Sequence, residues 1–134
     1  MTATEHADAI AEAAAHAAIE KGAENVMLID VSDRLVITDV FVIASASNDR
    51  QVRAIADGVE ERLLQDRVKP VRREGQTEGR WILLDFGDIV VHVQHNEERS
   101  FYALERLWKD CPTRVIEPPK SAVQQAAEVD GAAH

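Results

Sequence analysis

Asp85 and Asp88, which flank a predicted turn at Gly87, are the side chains whose spacing comes nearest to catalytic chemistry. Two carboxylates that hold a divalent ion can support phosphoryl or nucleotidyl transfer. A third carboxylate and a glycine-rich phosphate loop are missing, since the sequence contains no GxGxxG, GxxxxGKS or GxxxxGKT. An aspartate that bonds to the backbone of its own turn is the more ordinary case. A nucleotidyltransferase-like, metal-dependent enzyme that uses these two residues is therefore kept as the alternative function.

The histidines and the cysteine show no pattern of metal ligation or nucleophilic catalysis. His92 and His95 are three residues apart on one predicted strand, so side-chain alternation sends them to opposite faces. The other histidines have no cysteine or second histidine at zinc-ligand spacing. Cys111 has no histidine nearby in the sequence and precedes a proline, which favours a passive thiol. The prediction is a protein with no catalytic residue, no metal and no cofactor.

The charge balance argues against a protein that grips nucleic acid through its phosphates. Acidic side chains number 24 against 15 basic ones, a formal net charge of −9. Binding to phosphates needs cationic side chains, so direct sequence-specific nucleic-acid binding is not expected. Residues 69–80 form the one positive stretch. That stretch is either a solvated edge or a surface that grazes RNA phosphates after another contact has docked the protein, and the sequence leaves both interpretations open.

The length and composition of the chain fit one domain. It has 134 residues, of which 46% are hydrophobic, enough for a single modest core. The N-terminus lacks the pattern of a signal peptide, and no apolar run approaches the ~20 residues needed to span a bilayer. We therefore expect a cytoplasmic protein without membrane contact. The predicted domain covers residues 1–111, and residues 112–134, which contain three prolines and many Ala, Gln and Glu residues, are predicted to be a flexible tail.

The spacing of hydrophobic residues predicts the elements that must position these side chains. The residues alone supply a βαβ unit over 39–73 and a hairpin after it. Gln51 is suitably placed for a capping box on Asn48. One stripe of the last predicted helix is apolar: Phe101, Leu104 and Trp108. In chain order, the predicted elements are a helix over 4–21, strands over 25–31 and 39–46, a helix to about 66, an extended stretch over 70–73, strands over 81–86 and 89–95, and a helix over 99–109.

The predicted hairpin sorts its side chains onto two faces. A turn at Gly87 and Asp88 pairs apolar residues on a core face: Phe86 with Ile89, Leu84 with Val91 and Ile82 with Val93. The opposite face, called the contact face below, carries Trp81, Leu83, Asp85, Val90, His92 and Gln94. This mixture is too polar for a buried sheet face and too aromatic for a solvated one, which is typical of a protein contact site. The alternative is that Trp81 tucks under the first helix or the tail.

Four sequence motifs give the chain a specific resemblance. They are DVFVIASASNDRQVRAIAD at 39–57, REG at 73–75, GRWILLDFGDIVVHV at 79–93 and ERSFYALERLW at 98–108. On these motifs the chain is identified as a member of the Iojap family, the bacterial and organellar ribosomal silencing factors. The likeness spans most of the domain. Gln94 stands where members of the family often carry an aromatic residue, which changes one edge of the contact face.

The resemblance implies a fold and a function. The fold class is α/β: a single domain of the nucleotidyltransferase-like type, with a mixed β-sheet and flanking helices, that performs no nucleotidyl transfer. The function is that of a translational repressor, which binds the large ribosomal subunit through its ribosomal protein number fourteen. It sterically blocks association with the small subunit and lowers translation under nutrient limitation. A homodimer is also implied, and self-association would compete for exposed apolar surface.

The residue pattern and the resemblance together predict where the ribosomal protein binds. Trp81 and Leu83 are predicted to be apolar anchors, and Asp85 and His92 are predicted to be orienting polar groups. Two residues at the start of the last helix extend this site: Arg99 and Tyr102.

Overall fold

Among the residues that the structure describes, six strands of one mixed β-sheet form the centre of the fold. This computed structural model describes residues 3–75 and 77–118. In chain order the elements are α1 (Glu5–Glu20), β1 (Glu24–Asp30), β2 (Val40–Ala46), α2 (Asp49–Gln65), β3 (Arg72–Glu74), β4 (Trp81–Asp85), β5 (Ile89–His95), α3 (Asn96–Tyr102), α4 (Leu104–Leu107) and β6 (Thr113–Val115). The strand order is β3-β4-β5-β2-β1-β6, with β2 parallel to β5 and the other described neighbours antiparallel. Among the described residues, no helix combines the length and the apolar character needed to cross a membrane. The predicted α/β class, a single domain whose mixed sheet has flanking helices, is confirmed.

The alanine-rich sequence of α1 lets this helix lie close to the sheet and to α2. The Thr4 side chain caps its first turn by accepting from the N–H of Ala7 at 3.0 Å. Gly22 follows the helix in a left-handed conformation with φ of +90°. Small side chains such as Ala14 and Ala18 are fully buried in the core between the helices and the sheet. The predicted first helix and its glycine end are confirmed.

The central strand β2 is buried along its whole length because it has a strand on each side and helices on both faces. An apolar run without alternation is typical of such a strand. On the face covered by α1 and α2, Ile82 and Leu84 of β4 meet Val93 and Val91 of β5 in the register that the hairpin pattern predicted. The predicted core face is therefore confirmed.

The N-terminus of α2 forms half of the predicted capping box. The Asn48 side chain accepts from the N–H of Gln51 at 2.8 Å. The Gln51 amide instead donates to the carbonyl oxygens of Lys21 and Gly22, at 3.2 and 3.3 Å. The reciprocal half of the box is wrong, because the end of α1 lies beside α2 and offers unpaired carbonyl groups to the same side chain.

Two short helices occupy the segment where one helix was predicted over 99–109. Ala103 separates α3 from α4 in a left-handed conformation with φ of +45°. Leu104 and Trp108 pack on the sheet in the cluster that contains Phe41, whereas Phe101 is 81% exposed. The prediction of one apolar stripe that includes Phe101 is wrong, because packing on the sheet, and not helical periodicity, sets the direction of the chain after Ala103.

The sheet continues into the segment that was predicted to be a tail. The strand β6 (Thr113–Val115) pairs with β1, and this pairing is extended when the N–H of Asp30 donates to Pro112 O at 2.8 Å and the N–H of Ile116 donates to Val26 O at 2.9 Å. A tail that begins at residue 112 is thus wrong for residues 112–116, because the outer edge of β1 supplies backbone partners for them. Residues 119–134 of the predicted tail lie outside the described residues.

Candidate protein-interaction face

The contact face lies on the side of the sheet opposite α1 and α2. Trp81 is aligned with Gln94 and Leu83 with His92 across the β4–β5 ladder, as the hairpin register predicted. Leu104 and Trp108, from α4 and the residue after it, pack in the cluster on this face. The shared face of the predicted site residues is therefore confirmed, but part of it is covered.

The polar residues in the middle of the contact face are buried. His92 is 7% exposed and Gln94 is fully buried. The prediction that this face is too polar to be buried is wrong for both residues, because the α3–α4 segment folds over the part of the sheet that carries them. Gln94 therefore changes the interior beneath α3, not an exposed edge of the contact face.

His92 orients the side chain of Trp81. The indole Nε1–H of Trp81 donates to Nδ1 of His92 at 3.2 Å, and the imidazole and the Phe41 ring form a T-shaped pair with centroids 5.0 Å apart. Burial lowers the pKa of His92 to about 4, so the ring is neutral near pH 7. Because Nδ1 is the acceptor, the proton of the neutral ring is on Nε2. That buried Nε2 has no hydrogen-bond partner among the described residues.

Three aromatic rings follow one another at the border of α3 and β4. The Trp81 and Tyr102 ring centroids are 4.9 Å apart, and those of Tyr102 and Phe101 are 5.0 Å apart. Trp81 is half-buried, whereas Tyr102 and Phe101 are exposed. We call these three residues the aromatic patch. Trp81 packs beside α3 and lies on the sheet face opposite α1, so the alternative in which it tucks under the first helix is wrong.

Phe101 belongs to this patch, although its helical spacing predicted that it packs in an apolar stripe. The signal for its exposure is absent from the local sequence, because the turn at Ala103 has neither glycine nor proline. Leu83, which lies on the same sheet face, is half-buried and packs against the neighbouring apolar cluster. The aromatic patch and Leu83 together provide the accessible apolar part of the predicted site.

Arg99 is buried and holds α3 on the sheet. Its Nη1 donates to the carbonyl oxygen of Asn25 and to Oγ of Ser45, the latter at 3.3 Å. Its Nε lies 3.5 Å from a carboxylate oxygen of Glu105. Burial lowers the pKa of the Arg99 guanidinium, and the nearby Glu105 carboxylate opposes that shift. Arg99 therefore positions α3 from inside the fold and is not an open surface cation.

Asp85 stabilises the hairpin turn. Its carboxylate accepts from the N–H of Gly87 at 2.9 Å and lies 3.6 Å from Nη2 of Arg72. Asp88 is exposed in the turn, and its carbonyl oxygen accepts from the N–H of Asp39 at 2.8 Å. The turn-stabilising role predicted for an aspartate is confirmed. Within residues 3–75 and 77–118, no group of three or more histidine, cysteine or acidic side chains is arranged to hold a metal ion.

The arginines of the basic stretch at 69–80 face acidic side chains. These contacts join α2, β3, β4 and the start of α3, so the arginines are paired with carboxylates of the same protein. Salt bridges of this exposed kind contribute little to stability, but they neutralise the local charge. The shortest contacts are those of Arg73 with Asp57 (2.8 Å) and Glu60 (2.5 Å), and those of Arg80 with Glu97 (2.8 Å) and Glu98 (2.9 Å).

Comparisons with known proteins agree with the motifs. The family model RsfS, described as ribosomal silencing factor during starvation, matches residues 4–133. A ribosomal silencing factor RsfS of Bacillus subtilis is 40% identical over 103 residues, which are 77% of this chain and 87% of the relative. Protein Iojap of the Zea mays chloroplast is 31% identical over 94 residues, 70% of this chain and 41% of the relative. A crystal structure of a Chromobacterium violaceum protein is similar with a TM-score of 0.74 and 30% identity, covering 86% of this chain and 91% of that one. The chain therefore belongs to the RsfS family of ribosomal silencing factors, as its motifs indicated.

Proposed function

We propose that this protein is a translational repressor that binds the large ribosomal subunit through ribosomal protein number fourteen. In this proposal the bound protein sterically blocks association with the small subunit and lowers translation under nutrient limitation. Membership in a family described as silencing factors during starvation supports the regulatory role. The partner protein and the block are what the sequence resemblance implies.

The observation that carries the proposed contact is the aromatic patch. Trp81 and Tyr102 present ring surface beside the exposed Phe101. Aromatic side chains that are held in place contribute strongly to binding, because little conformational entropy is lost when a partner covers them. Leu83 adds apolar surface and Asp85 a half-buried carboxylate. We assign these residues to direct contact.

His92 and Arg99 act on the proposed contact from beneath it. His92 fixes the Trp81 indole through the 3.2 Å hydrogen bond, and Arg99 fixes α3, which carries Tyr102. Both side chains are buried, so they are positioning residues and do not touch the partner. Their substitution is expected to weaken binding through a displaced aromatic patch.

The acidity of the chain supports a protein partner. A net charge of −9 disfavours contact with RNA phosphates and favours encounter with a basic ribosomal protein. The arginines at 72, 73 and 80 are already opposed by carboxylates. We expect a higher salt concentration to weaken binding, because salt screens the acidic side chains of this protein. Neutralising the exposed Lys69 is expected to leave the affinity nearly unchanged.

We propose that the protein acts by occupancy. Occupancy needs no turnover and no cofactor, and its extent follows from affinity and concentration in competition with the small subunit. Such an action takes place in the cytoplasm, where ribosomal subunits join. A homodimer that covered the same aromatic patch would lower the concentration of binding-competent protein.

Sedimentation with purified large subunits tests the proposed contact. Trp81→Ala is expected to cost about 2 kcal/mol or more, roughly thirtyfold in affinity, because it removes a central aromatic anchor. Leu64→Ser is a matched control, since Leu64 is an exposed apolar residue of α2, which covers the opposite face of the sheet. Thermal unfolding checks that both variants fold. A folded Trp81→Ala protein that binds large subunits as well as the unaltered chain would exclude this site.

A second measurement tests the identity of the partner independently of where on this protein the contact lies. The full chain is titrated into isolated ribosomal protein number fourteen in a calorimeter, and subunit joining is followed by light scattering. The proposal expects binding to the isolated protein and slower joining in proportion to occupancy. Binding to large subunits without any binding to the isolated protein would refute this choice of partner.

A further inference from the structure

The loop between β1 and β2 exposes two adjacent apolar side chains. We call residues 32–39 the Val36 loop. Val36 is 100% exposed and Ile37 is 79% exposed. A single exposed apolar side chain is common on protein surfaces. Two neighbouring branched side chains that are both in water leave apolar area available for a partner to cover.

Hydrogen bonds and packing hold the Val36 loop in place. The N–H groups of Arg34 and Leu35 each donate to Val31 O at 2.9 Å. The Thr38 hydroxyl donates to Gly87 O in the β4–β5 turn at 3.1 Å. The Leu35 side chain packs on the apolar cluster of the contact face. The loop is anchored at both ends and in the middle, so a partner would meet a pre-organised apolar tip.

The surroundings of the tip are acidic. A cleft of about 250 Å³ opens beside Val36 and is lined by residues of the same loop. Arg34 is engaged by Asp110 at 3.7 Å. Asp33 and Asp39 are the acidic residues that line the cleft, and Arg34 is the basic one. An apolar centre with an acidic rim fits a protein surface that presents an apolar side chain flanked by lysine or arginine, and it repels phosphates. Asp88 lies next to the loop, since its carbonyl oxygen accepts from the N–H of Asp39, and it adds a further exposed acidic residue.

The Val36 loop is continuous with the contact face. Leu35 packs on the same cluster as Leu83 and Trp108, and the loop is hydrogen-bonded to the turn between β4 and β5. The aromatic patch lies at the start of β4, and the loop lies at the end of β4. The same sheet face therefore has an apolar contact point at each end of that strand.

We propose that the Val36 loop is a second docking point for the basic large-subunit protein that the aromatic patch binds. This inference rests on the proposed function. Val36 and Ile37 insert between apolar side chains of the partner, and the acidic rim pairs with its cations. Two separated contact points fix the orientation of the bound protein, which a single patch would leave less restricted.

The test compares large-subunit binding by full-length variants. The double variant Val36→Ser and Ile37→Ser is expected to bind at least tenfold more weakly, because it removes the apolar tip. Its thermal stability should not change, since both side chains are exposed. Leu64→Ser is again the matched control, with a side chain that is 49% exposed on the opposite side of the sheet. Trp81→Ala reports separately on the aromatic patch.

Each outcome of this comparison either supports or overturns the assignment of the Val36 loop. A double variant that binds like the unaltered chain while Trp81→Ala does not would overturn the inference and leave the proposed function standing. Unaltered protein that fails to bind large subunits would overturn both. Light scattering measures the oligomeric state, and an unchanged affinity with a lost dimer would assign the loop to a second copy of this chain. If the double variant bound protein-free ribosomal RNA more weakly than the unaltered chain does, the Val36 loop would be assigned to RNA contact. Either assignment would overturn the inference.

Discussion

Acidification should destabilise the fold through one buried imidazole, that of His92. Burial lowers its pKa from the ordinary 6.5 to about 4. Between these values the unfolded chain binds a proton that the folded protein does not, so stability falls as pH falls from 6.5 towards 4. At 1.36 kcal/mol for each tenfold change in proton affinity, the loss between pH 7.5 and pH 5 is about 2 kcal/mol. Above pH 7.5 His92 contributes no further pH dependence.

Urea unfolding at pH 7.5, 6 and 5 measures this loss. The matched variant is His92→Asn, whose side-chain oxygen can accept from the Trp81 indole but does not titrate. The other acidic groups are the same in both proteins, including Asp30, whose partial burial is outweighed by hydrogen bonds from Ser32 and Ala3, so that its pKa is lowered. The difference between the two proteins isolates the imidazole. We expect the free energy of unfolding of the unaltered chain, relative to that of His92→Asn, to fall by about 2 kcal/mol from pH 7.5 to pH 5.

The reasoning would be refuted if the two proteins lost stability in parallel over this range. If His92→Asn does not fold, the imidazole resonances of the unaltered chain are titrated by NMR. A His92 resonance that titrates at or above pH 6 would contradict the burial effect directly. Loss of the Trp81 hydrogen bond at low pH should also alter indole fluorescence, because a protonated Nδ1 cannot accept.

Three further predictions concern backbone and packing, and each is measured as the free energy of unfolding in urea. Asn48→Ala should lower it by about 1 kcal/mol because the N-cap acceptor of α2 is lost; no change would mean that water replaces the cap. Ala103→Gly should raise it by about 0.5 kcal/mol because glycine tolerates the positive φ, whereas the control Ala54→Gly, in the exposed face of α2, should lower it by about 1 kcal/mol. Equal losses would contradict the strained turn. Arg99→Met should cost about 3 kcal/mol because the carboxylate of Glu105 loses its buried partner; a cost below 1 kcal/mol would show that water solvates this carboxylate.

The sequence by itself determined the features that depend on near neighbours along the chain. Alternation in β4 and β5 and the turn at Gly87 fixed the register of the hairpin, because side chains of a strand must take opposite faces. The Asn48 cap and the glycine at position 22 marked helix ends for a local steric and hydrogen-bonding reason. The family motifs lie in the same stretches of sequence.

Tertiary structure alone decided which part of the contact face is accessible. His92 and Gln94 have the polar character of surface residues, yet they are buried because α3 and α4 fold over them. The three residues of β6 are too few to predict a strand, although Thr113 and Val115 are β-branched, and the free edge of β1 makes them a strand. Likewise, the left-handed Ala103 follows from the anchoring of α3 by Arg99 and of α4 by Leu104. The deciding partners of β6 and of Arg99 are remote in sequence, and α3, although it follows β5 directly, covers that strand only once the chain has folded.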